Sequence, residues 1–339
     1  MQFKLNYNSS FFTPIILIAP FFLWGTAMVA MKGVIHQTTP LFMAGIRIFP
    51  AGILVLLVAI FLGKYQHITP LGWLWIGLFS LVDGLMFQGF LGEGLVRTDA
   101  GLGSVMIDSQ PLAVAILSRW LFKEIIGFWG WLGLFIGIIG ISLIGLPDEL
   151  ILNWWQGNFT RNEFSWQDLF DNGQWLMLLA SFSMAIGTVM IPYISRHVDP
   201  VVATGWHLVI GGFALFILSF RFETSQWINL DLTAWLSIAY ATIFGSAIAY
   251  GLFFFLASKG NLTSLSALTF LTPIFALTFG NLLLKETLSD LQWQGVSLTL
   301  VSIYLINQRE QIHKFFTQEK FTLYADKIKI KLLINRNED

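Results

Sequence analysis

The sequence predicts an all-α integral membrane protein in which ten transmembrane helices form two inverted five-helix repeats. Of its 339 residues, 55% are hydrophobic and 12% are charged, whereas an average soluble domain has roughly 25% charged residues. The hydrophobic residues stand in long runs, and a bilayer core needs about 20 mostly apolar residues for each crossing helix. The second half of the chain also repeats the residue pattern of the first.

The repeat is clearest around two prolines, Pro111 and Pro273, which are related by an offset of 273 − 111 = 162. The same offset relates five further identical pairs: Ser104 and Ser266, Lys123 and Lys285, Glu124 and Glu286, Trp131 and Trp293, and Gly133 and Gly295. A proline, a Lys-Glu pair and a Trp-x-Gly motif at fixed spacing are not expected by chance, even in so apolar a chain. Internal duplication is typical of a membrane transporter built from two halves.

The first repeat is predicted to span residues 15–146. Its five helices are expected at about 14–31, 41–62, 71–95, 100–122 and 128–146, separated by polar or helix-breaking residues. No A-x-A-like cleavage site follows the first apolar run, so we interpret that run as a membrane helix and not as a cleaved signal.

The second repeat, residues 174–307, is predicted to follow the same plan, with helices at about 174–194, 201–220, 232–257, 262–284 and 291–306. Its first two helices match those of the first repeat, the second after a two-residue deletion: Gly25 and Thr26 meet Gly187 and Thr188, and Pro40, Gly45, Arg47 and Gly52 meet Pro200, Gly205, His207 and Gly212. Residues 147–173 mix aromatic and polar side chains, which indicates a linker at the headgroup level. Residues 308–339 are predicted to form a basic C-terminal tail.

The repeat architecture also predicts topology. Five crossings in each repeat is an odd number, so the second repeat enters the bilayer from the opposite face and both termini share one face. The loop charges are nearly balanced between the two faces. The tail is basic, with Lys314, Lys320, Lys327, Lys329, Lys331 and Arg336, and this favours a cytoplasmic location for both termini. We therefore predict a multi-pass protein of the cell membrane.

Four ionisable residues lie inside apolar segments of the first repeat: Arg47, Asp83, Glu93 and Asp108. An ionisable group within a membrane helix is costly and marks a functional site by default. At about 1.5 Å of rise per residue, Arg47, Glu93 and Asp108 fall at similar depth, and Asp83 lies deeper. Two interpretations remain open: a path for substrate or protons, or a structural ion pair of Arg47 with Asp108 or Glu93.

Asp83 is the leading candidate for a proton-coupling group, because it lies near mid-membrane and the sequence offers no obvious cationic partner at its depth. Asp108 ranks second, since Arg47 would hold it ionised. The alternative for Asp83 is a packing role, in which its carboxyl group accepts hydrogen bonds from hydroxyl groups of neighbouring helices.

The second repeat supplies fewer charges. His207 occupies the position of Arg47, Tyr250 is a further polar candidate, and Phe270 stands opposite Asp108 in the repeat alignment. The site is therefore predicted to be asymmetric, with one polar wall and one aromatic wall.

Three further features are assigned to this path. Trp24 is a candidate for the lining, and Gln110 stands directly before Pro111. Pro111 and Pro273 are predicted to kink their helices at the cavity, with a simple packing kink as the alternative.

The sequence also excludes several functions. It contains no G-x-x-x-x-G-K-[ST] loop, no cysteine and no clustered histidines, so it predicts no enzyme, no metal site and no cofactor. A net charge of −1 gives no indication of nucleic acid as a partner. The expected partners are the lipid bilayer and a small-molecule substrate, and the sequence leaves a homodimer open.

Several short motifs follow one another along both halves of the chain: Leu23-Trp24-Gly25-Thr26, Gly45-Ile46-Arg47, Ser109-Gln110-Pro111 with Glu124, His197-x-Asp199-Pro200, Thr204-Gly205-Trp206, and Leu271-Thr272-Pro273 with Glu286. The chain thereby resembles the drug/metabolite transporter superfamily, specifically its ten-helix proteins with two EamA-type repeats. The resemblance implies a secondary transporter, often an exporter of amino acids or other small metabolites, with helices one, three and four of each repeat lining the path. The competing hypothesis is a membrane scaffold or sensor whose polar groups are structural.

Overall fold

The computed structural model describes residues 12–32, 34, 36–64, 66–97, 106–146, 148, 151–152, 173–284 and 289–315. All regular secondary structure in these residues is helical. We number the helices α1 (Phe12–Lys32), α2 (Pro40–Phe61), α3 (Pro70–Arg97), α4 (Gln110–Phe122), α5 (Gly127–Gly145), α6 (Gln174–Ile194), α7 (Pro200–Phe222), α8 (Leu232–Ala257), α9 (262–284) and α10 (Asp290–Asn307).

The helices confirm the predicted fold class, an all-α integral membrane protein. Within the described ranges, eight of them are long and apolar enough to cross a bilayer. The other two are α4, which is described over 13 residues, and α10, which packs along the membrane-length helix α5. Helix α4 begins at Gln110, ten residues later than predicted, and residues 98–105 lie outside the described part of the chain.

Most of these helices have residues typical of helix starts at their N-terminal ends. Prolines occupy the first helical positions of α2, α3 and α7, where the missing N–H group costs nothing because no intrahelical acceptor exists there. Polar side chains accept hydrogen bonds from the first turns of five helical segments: Thr69, Asp199, Asp231, Asn261 and Ser289. Such caps satisfy backbone donors that have no partner within the first turn of a helix.

The helix pairs obey a pseudo-twofold relationship. Helix α2 packs against α7, and α5 packs against α10. The contact of α1 with α9 corresponds to the contact of α6 with α4. The contact of α3 with α7 corresponds in the same way to the contact of α8 with α2. Exchanging each helix with the one five places later turns each of these pairings into itself or into another of them, as expected for two repeats of one five-helix unit.

Two matched glycines bring α2 and α7 together. A Cβ atom on Gly52 would lie 2.6 Å from the backbone nitrogen of Val209, and one on Gly212 would lie 2.7 Å from that of Phe49. Both distances are too short for any other residue, so the two backbones are in direct contact. Gly52 and Gly212 are the pair that the repeat alignment matches at an offset of 212 − 52 = 160.

Both repeats depart from α-helical geometry at equivalent places. The middle of α3 is a π-helical segment, Ser80–Phe87, and the middle of α8 is another, Ala241–Ile248, at an offset of 241 − 80 = 161. Segments of π-helix are rare and often mark functional sites. Neither segment is predicted by the residue pattern along the chain.

The helices that carry the matched prolines are also interrupted. A turn at Asp108 and Ser109 precedes Pro111 in α4. In α9 a 3₁₀ segment, Leu268–Phe270, precedes Pro273. The Lys285-Glu286 pair, residues 153–172 of the linker and residues 316–339 of the tail lie outside the described residues.

Candidate functional site

A carboxyl group and an imidazole ring meet inside the bundle. Asp83 lies in the π-helical segment of α3, and its Oδ2 atom is 3.1 Å from Nε2 of His207 on α7. Neither side chain has any exposed surface. Asp83 stands almost midway between Pro70 and Arg97, the two ends of α3. The carboxyl group therefore lies about 20 Å from either end of α3, near the middle of this membrane-length helix.

Close backbone contacts hold this pair in place. A Cβ atom on Gly211 of α7 would lie 2.5 Å from Cα of Gly84 on α3, so the two helices touch directly beside Asp83. On the other side, a Cβ atom on Gly187 of α6 would lie 2.7 Å from Oδ1 of Asp83. Gly187 therefore leaves the space that the carboxyl group occupies, and Gly84 and Gly211 let α3 and α7 touch beside it.

A second polar chain begins at Arg47 on α2. Its guanidinium group donates to Oε1 of Gln88 on α3, and Nε2 of Gln88 donates to the hydroxyl oxygen of Tyr250 on α8 at 2.7 Å. Gln88 and Tyr250 are almost completely buried. Arg47 keeps part of its surface accessible although it lies seven residues inside α2.

Aromatic rings enclose both polar groups and connect them. The ring of Phe254 is 5.9 Å from that of Tyr250 and 5.5 Å from that of His207. Phe79 lies against His207 with ring centroids 3.9 Å apart. The ring of Trp24 is 5.3 Å from that of Tyr250, and its Nε1 atom is buried without a hydrogen-bond partner among the described residues. The two hydrogen-bonded groups thus share one aromatic shell, and we refer to them together as the polar network.

The polar network contains residues of both repeats. Arg47 and His207 are repeat equivalents at an offset of 207 − 47 = 160, and Gln88 and Tyr250 are equivalents at an offset of 162. Equivalent residues can touch only near the pseudo-twofold axis, so that axis passes close to the Gln88–Tyr250 bond. The position equivalent to Asp83 is Gly245, so only the first repeat carries the carboxyl group.

The repeat pattern matches that of a transporter family. The sequence profile of the EamA-like transporter family matches the chain twice, over residues 12–146 and 171–308. The chain belongs to the EamA-like transporter family. This membership confirms the resemblance drawn from the sequence and identifies a multi-pass integral membrane transporter of the drug/metabolite transporter superfamily.

Individual relatives agree with this family. An uncharacterized transporter of Synechocystis sp. is 62% identical over 312 residues, which are 92% of this chain and 94% of that protein. A WAT1-related chloroplastic protein of Arabidopsis thaliana is 48% identical over 299 residues, covering 86% of this chain and 68% of that protein. A solved crystal structure aligns with a TM-score of 0.70 and 16% identity over 86% of this chain and 94% of that chain, which shows the fold alone. The family and relatives indicate a transporter and not an enzyme.

The structure corrects one expectation about this transporter. Asp83 has a partner that the sequence analysis did not assign to it, because the imidazole of His207, which is a cation only when protonated, faces it from the second repeat. His207 belongs to the second repeat, whereas the four ionisable groups placed by depth all belong to the first. The contact arises because the glycine-mediated approach of α3 and α7 brings together residues that are 124 positions apart.

Within the described part of the chain, the structural ion pair considered for Arg47 is also not formed. The salt bridges there do not include Arg47, and its hydrogen bond goes to the neutral Gln88. Glu93 pairs instead with Arg97 at 2.8 Å, one turn further along α3, where its side chain is 24% exposed. This is a position at the rim of the bundle.

The remaining predicted residues lie around α4. Asp108 is 7% exposed and belongs to the turn that precedes Pro111. Gln110 donates from Nε2 to the hydroxyl oxygen of Thr188 on α6 at 3.2 Å. Gln110 thus joins α4 to α6, whereas Arg47, Asp83, His207 and Tyr250 belong to the network described above.

Gln88 is the functional candidate that sequence reasoning missed. It is a single amide in an apolar stretch, and isolated amides are usually assigned to packing. Extending the repeat offset of 162 along α3 pairs Gln88 with Tyr250, and this would have placed two polar residues at equivalent positions. The repeat offset therefore identifies Gln88 as a candidate, although Gln88 lies outside the region where the two repeats share many identical residues.

Proposed function

We propose that this chain is a proton-coupled secondary transporter that exports a small metabolite, an amino acid or a compound of similar size, by alternating access. The observation that carries the proposal is the fully buried pair of Asp83 and His207 at the middle of α3. A carboxyl–imidazole pair inside a membrane helix bundle is the kind of group from which proton relays are built.

The pair has unused hydrogen-bonding positions. Oδ1 of Asp83 and Nδ1 of His207 are buried, and neither has a hydrogen-bond partner among the described residues. Buried polar atoms that serve only packing are normally satisfied, so the two free atoms argue against the scaffold hypothesis. They are the positions at which a proton arriving through water would be accepted.

The repeat architecture supports alternating access. Helices α2 and α7 begin at opposite membrane faces because five crossings separate them. Arg47 lies seven residues after Pro40, the start of α2, and His207 lies seven residues after Pro200, the start of α7. The two groups therefore approach the membrane centre from opposite faces, as a site exposed to each face in turn requires.

The topology that we propose places both termini in the cytoplasm, with the protein in the cell membrane. In the described residues, basic side chains at the terminal face include Lys64, which pairs with Asp199 at 3.0 Å, and Arg309, which pairs with Glu124 at 3.0 Å. Residues 15–146 and 174–307 form the two repeat units of this proposal.

Reconstitution in liposomes tests the proposed function. The purified protein is placed in vesicles that contain a pH-sensitive dye, and a panel of amino acids and other small metabolites is added outside. The proposal expects at least one compound to move together with a change in internal pH. Compound flux without any proton movement would contradict the coupling, and absence of flux for the whole panel would contradict the transport of small metabolites.

A further inference from the structure

Among the described residues, Arg47 is a cation without a counter-charge. Its guanidinium group lies within the bundle and donates to the neutral side-chain oxygen of Gln88. No salt bridge of the described residues includes it. An isolated charge in a low-dielectric interior is strongly destabilising unless it is paired, so a structural role does not explain why Arg47 is there.

The hydrogen-bond directions around Gln88 are fixed by Arg47. A guanidinium group has five N–H donors and no acceptor, so the amide of Gln88 turns its oxygen to Arg47 and its nitrogen to Tyr250. The hydroxyl oxygen of Tyr250 therefore accepts from Gln88. As a result, the O–H hydrogen of Tyr250 is directed away from Gln88 and is available to another acceptor.

Within the described ranges, three side chains in this region thus keep donors without an acceptor. Arg47 donates one hydrogen bond to Gln88, and part of the surface of Arg47 is accessible. The O–H group of Tyr250 is available to donate a hydrogen bond. Trp24, whose ring packs at 5.3 Å from that of Tyr250, has a buried Nε1–H group that no described residue accepts. A buried donor without an acceptor, such as the Nε1–H group of Trp24, is rare in folded proteins.

We propose that Arg47, Tyr250 and Trp24 form an anchor for a carboxylate group of the transported compound. This inference rests on the proposed function, because it assigns a chemical class to the substrate of the same site. The planar guanidinium fork matches a carboxylate through two parallel hydrogen bonds. The single positive charge of Arg47 neutralises a singly charged carboxylate. It would leave one negative charge of a doubly charged phosphate ester without a counter-charge.

Binding measurements on the purified protein test the anchor. The probes are carboxylates of two to six carbons with amino, hydroxy or oxo substituents, and each is compared with its primary amide and with a phosphate ester of similar size. The readout is the shift in unfolding temperature with ligand concentration. We expect carboxylates to raise the unfolding temperature of the parent protein, and the matched amides and phosphate esters to bind at least about tenfold more weakly, the factor for losing one charge-assisted hydrogen bond.

Variants make the test specific. Arg47→Gln removes the charge and keeps a polar side chain, and it should lose the carboxylate-dependent shift, whereas Arg47→Lys keeps part of it. Trp24→Phe should weaken the shift and leave the fold intact. Arg221→Gln is the matched control, because Arg221 is exposed at the end of α7 and stacks on Phe222; this variant should bind as the parent does.

The outcomes separate the anchor from the coupling. The binding assay contains no gradient, so carboxylate binding without proton flux in liposomes would uphold the anchor and overturn the coupling. Equal binding of amides and carboxylates, tighter binding of phosphate esters, retained carboxylate binding in folded Arg47→Gln, or no shift with any carboxylate would each overturn the anchor.

Discussion

Gln88 on α3 and Tyr250 on α8 are equivalent residues of the two repeats, and they bond to each other at 2.7 Å across the pseudo-twofold axis. Most equivalent residues of inverted repeats lie far apart, because the axis carries each to the other side of the bundle. This bond therefore places the axis inside the polar network. It also ties Arg47, which belongs to the first repeat, to a helix of the second.

We predict that Gln88 and Tyr250 are energetically coupled. Tyr250→Phe leaves Nε2 of Gln88 without its acceptor in a buried position, and the free energy of unfolding should fall by about 1–3 kcal/mol. Gln88→Leu removes the partner of both Arg47 and Tyr250 and should cost at least as much.

A double-mutant cycle measured by thermal unfolding checks this prediction. The two changes should be non-additive by about 0.5 kcal/mol or more, as for residues that share one hydrogen-bond network. Strict additivity would show that the two side chains act independently.

The glycines beside Asp83 are predicted to be essential for the site. Gly187→Ala places a Cβ atom 2.7 Å from Oδ1 of Asp83, so the carboxyl group must move and its contact with His207 is disturbed. Transport activity should fall sharply. Gly211→Ala meets the backbone of Gly84, and such overpacking should lower stability by about 1–3 kcal/mol.

Gly77→Ala is the matched control for both changes. It lies on α3 as well, and an added Cβ atom there meets nothing within 4 Å. Transport and unfolding temperature of this variant should match those of the parent. If Gly187→Ala transported as well as Gly77→Ala does, the packing argument for Asp83 would fail.

The proposed topology predicts where tags are accessible. A tag at the C-terminus should be protected from impermeant reagents in intact cells and should become reactive after permeabilisation. A cysteine placed in the Asp148 region, which follows α5, should react in intact cells, since the chain contains no other cysteine. Labelling of the C-terminal tag in intact cells would reverse the assignment.

The sequence predicted the helices and their repeat because both depend on short-range or periodic signals. Long apolar runs, prolines at helix starts and the Gly52–Gly212 correspondence are all visible along the chain. The pairing of Asp83 with His207 is not, because it depends on the rotation of α3 and α7 about their axes. That rotation is set by the glycine contact between Gly84 and Gly211.

The π-helical segments explain part of this difference. A π-helical turn holds more residues than an α-helical turn, so it rotates every side chain that follows it. Gln88 follows the segment Ser80–Phe87 directly. If α3 is drawn as a uniform α-helix, the residues after the π-helical segment are therefore assigned to the wrong face. The sequence contains no pattern that reveals the π-helical segment.

Substitution of Asp83 by asparagine tests the central claim most directly. The change keeps the size of the side chain and its hydrogen-bonding capacity toward His207, but it removes the titration. In liposomes, Asp83→Asn should lose accumulation of substrate against its gradient while it keeps exchange of labelled for unlabelled substrate. Glu93→Gln, which alters a carboxyl group at the rim of the same helix, should accumulate substrate as the parent does. Uphill transport by Asp83→Asn at the rate of the parent would contradict the account.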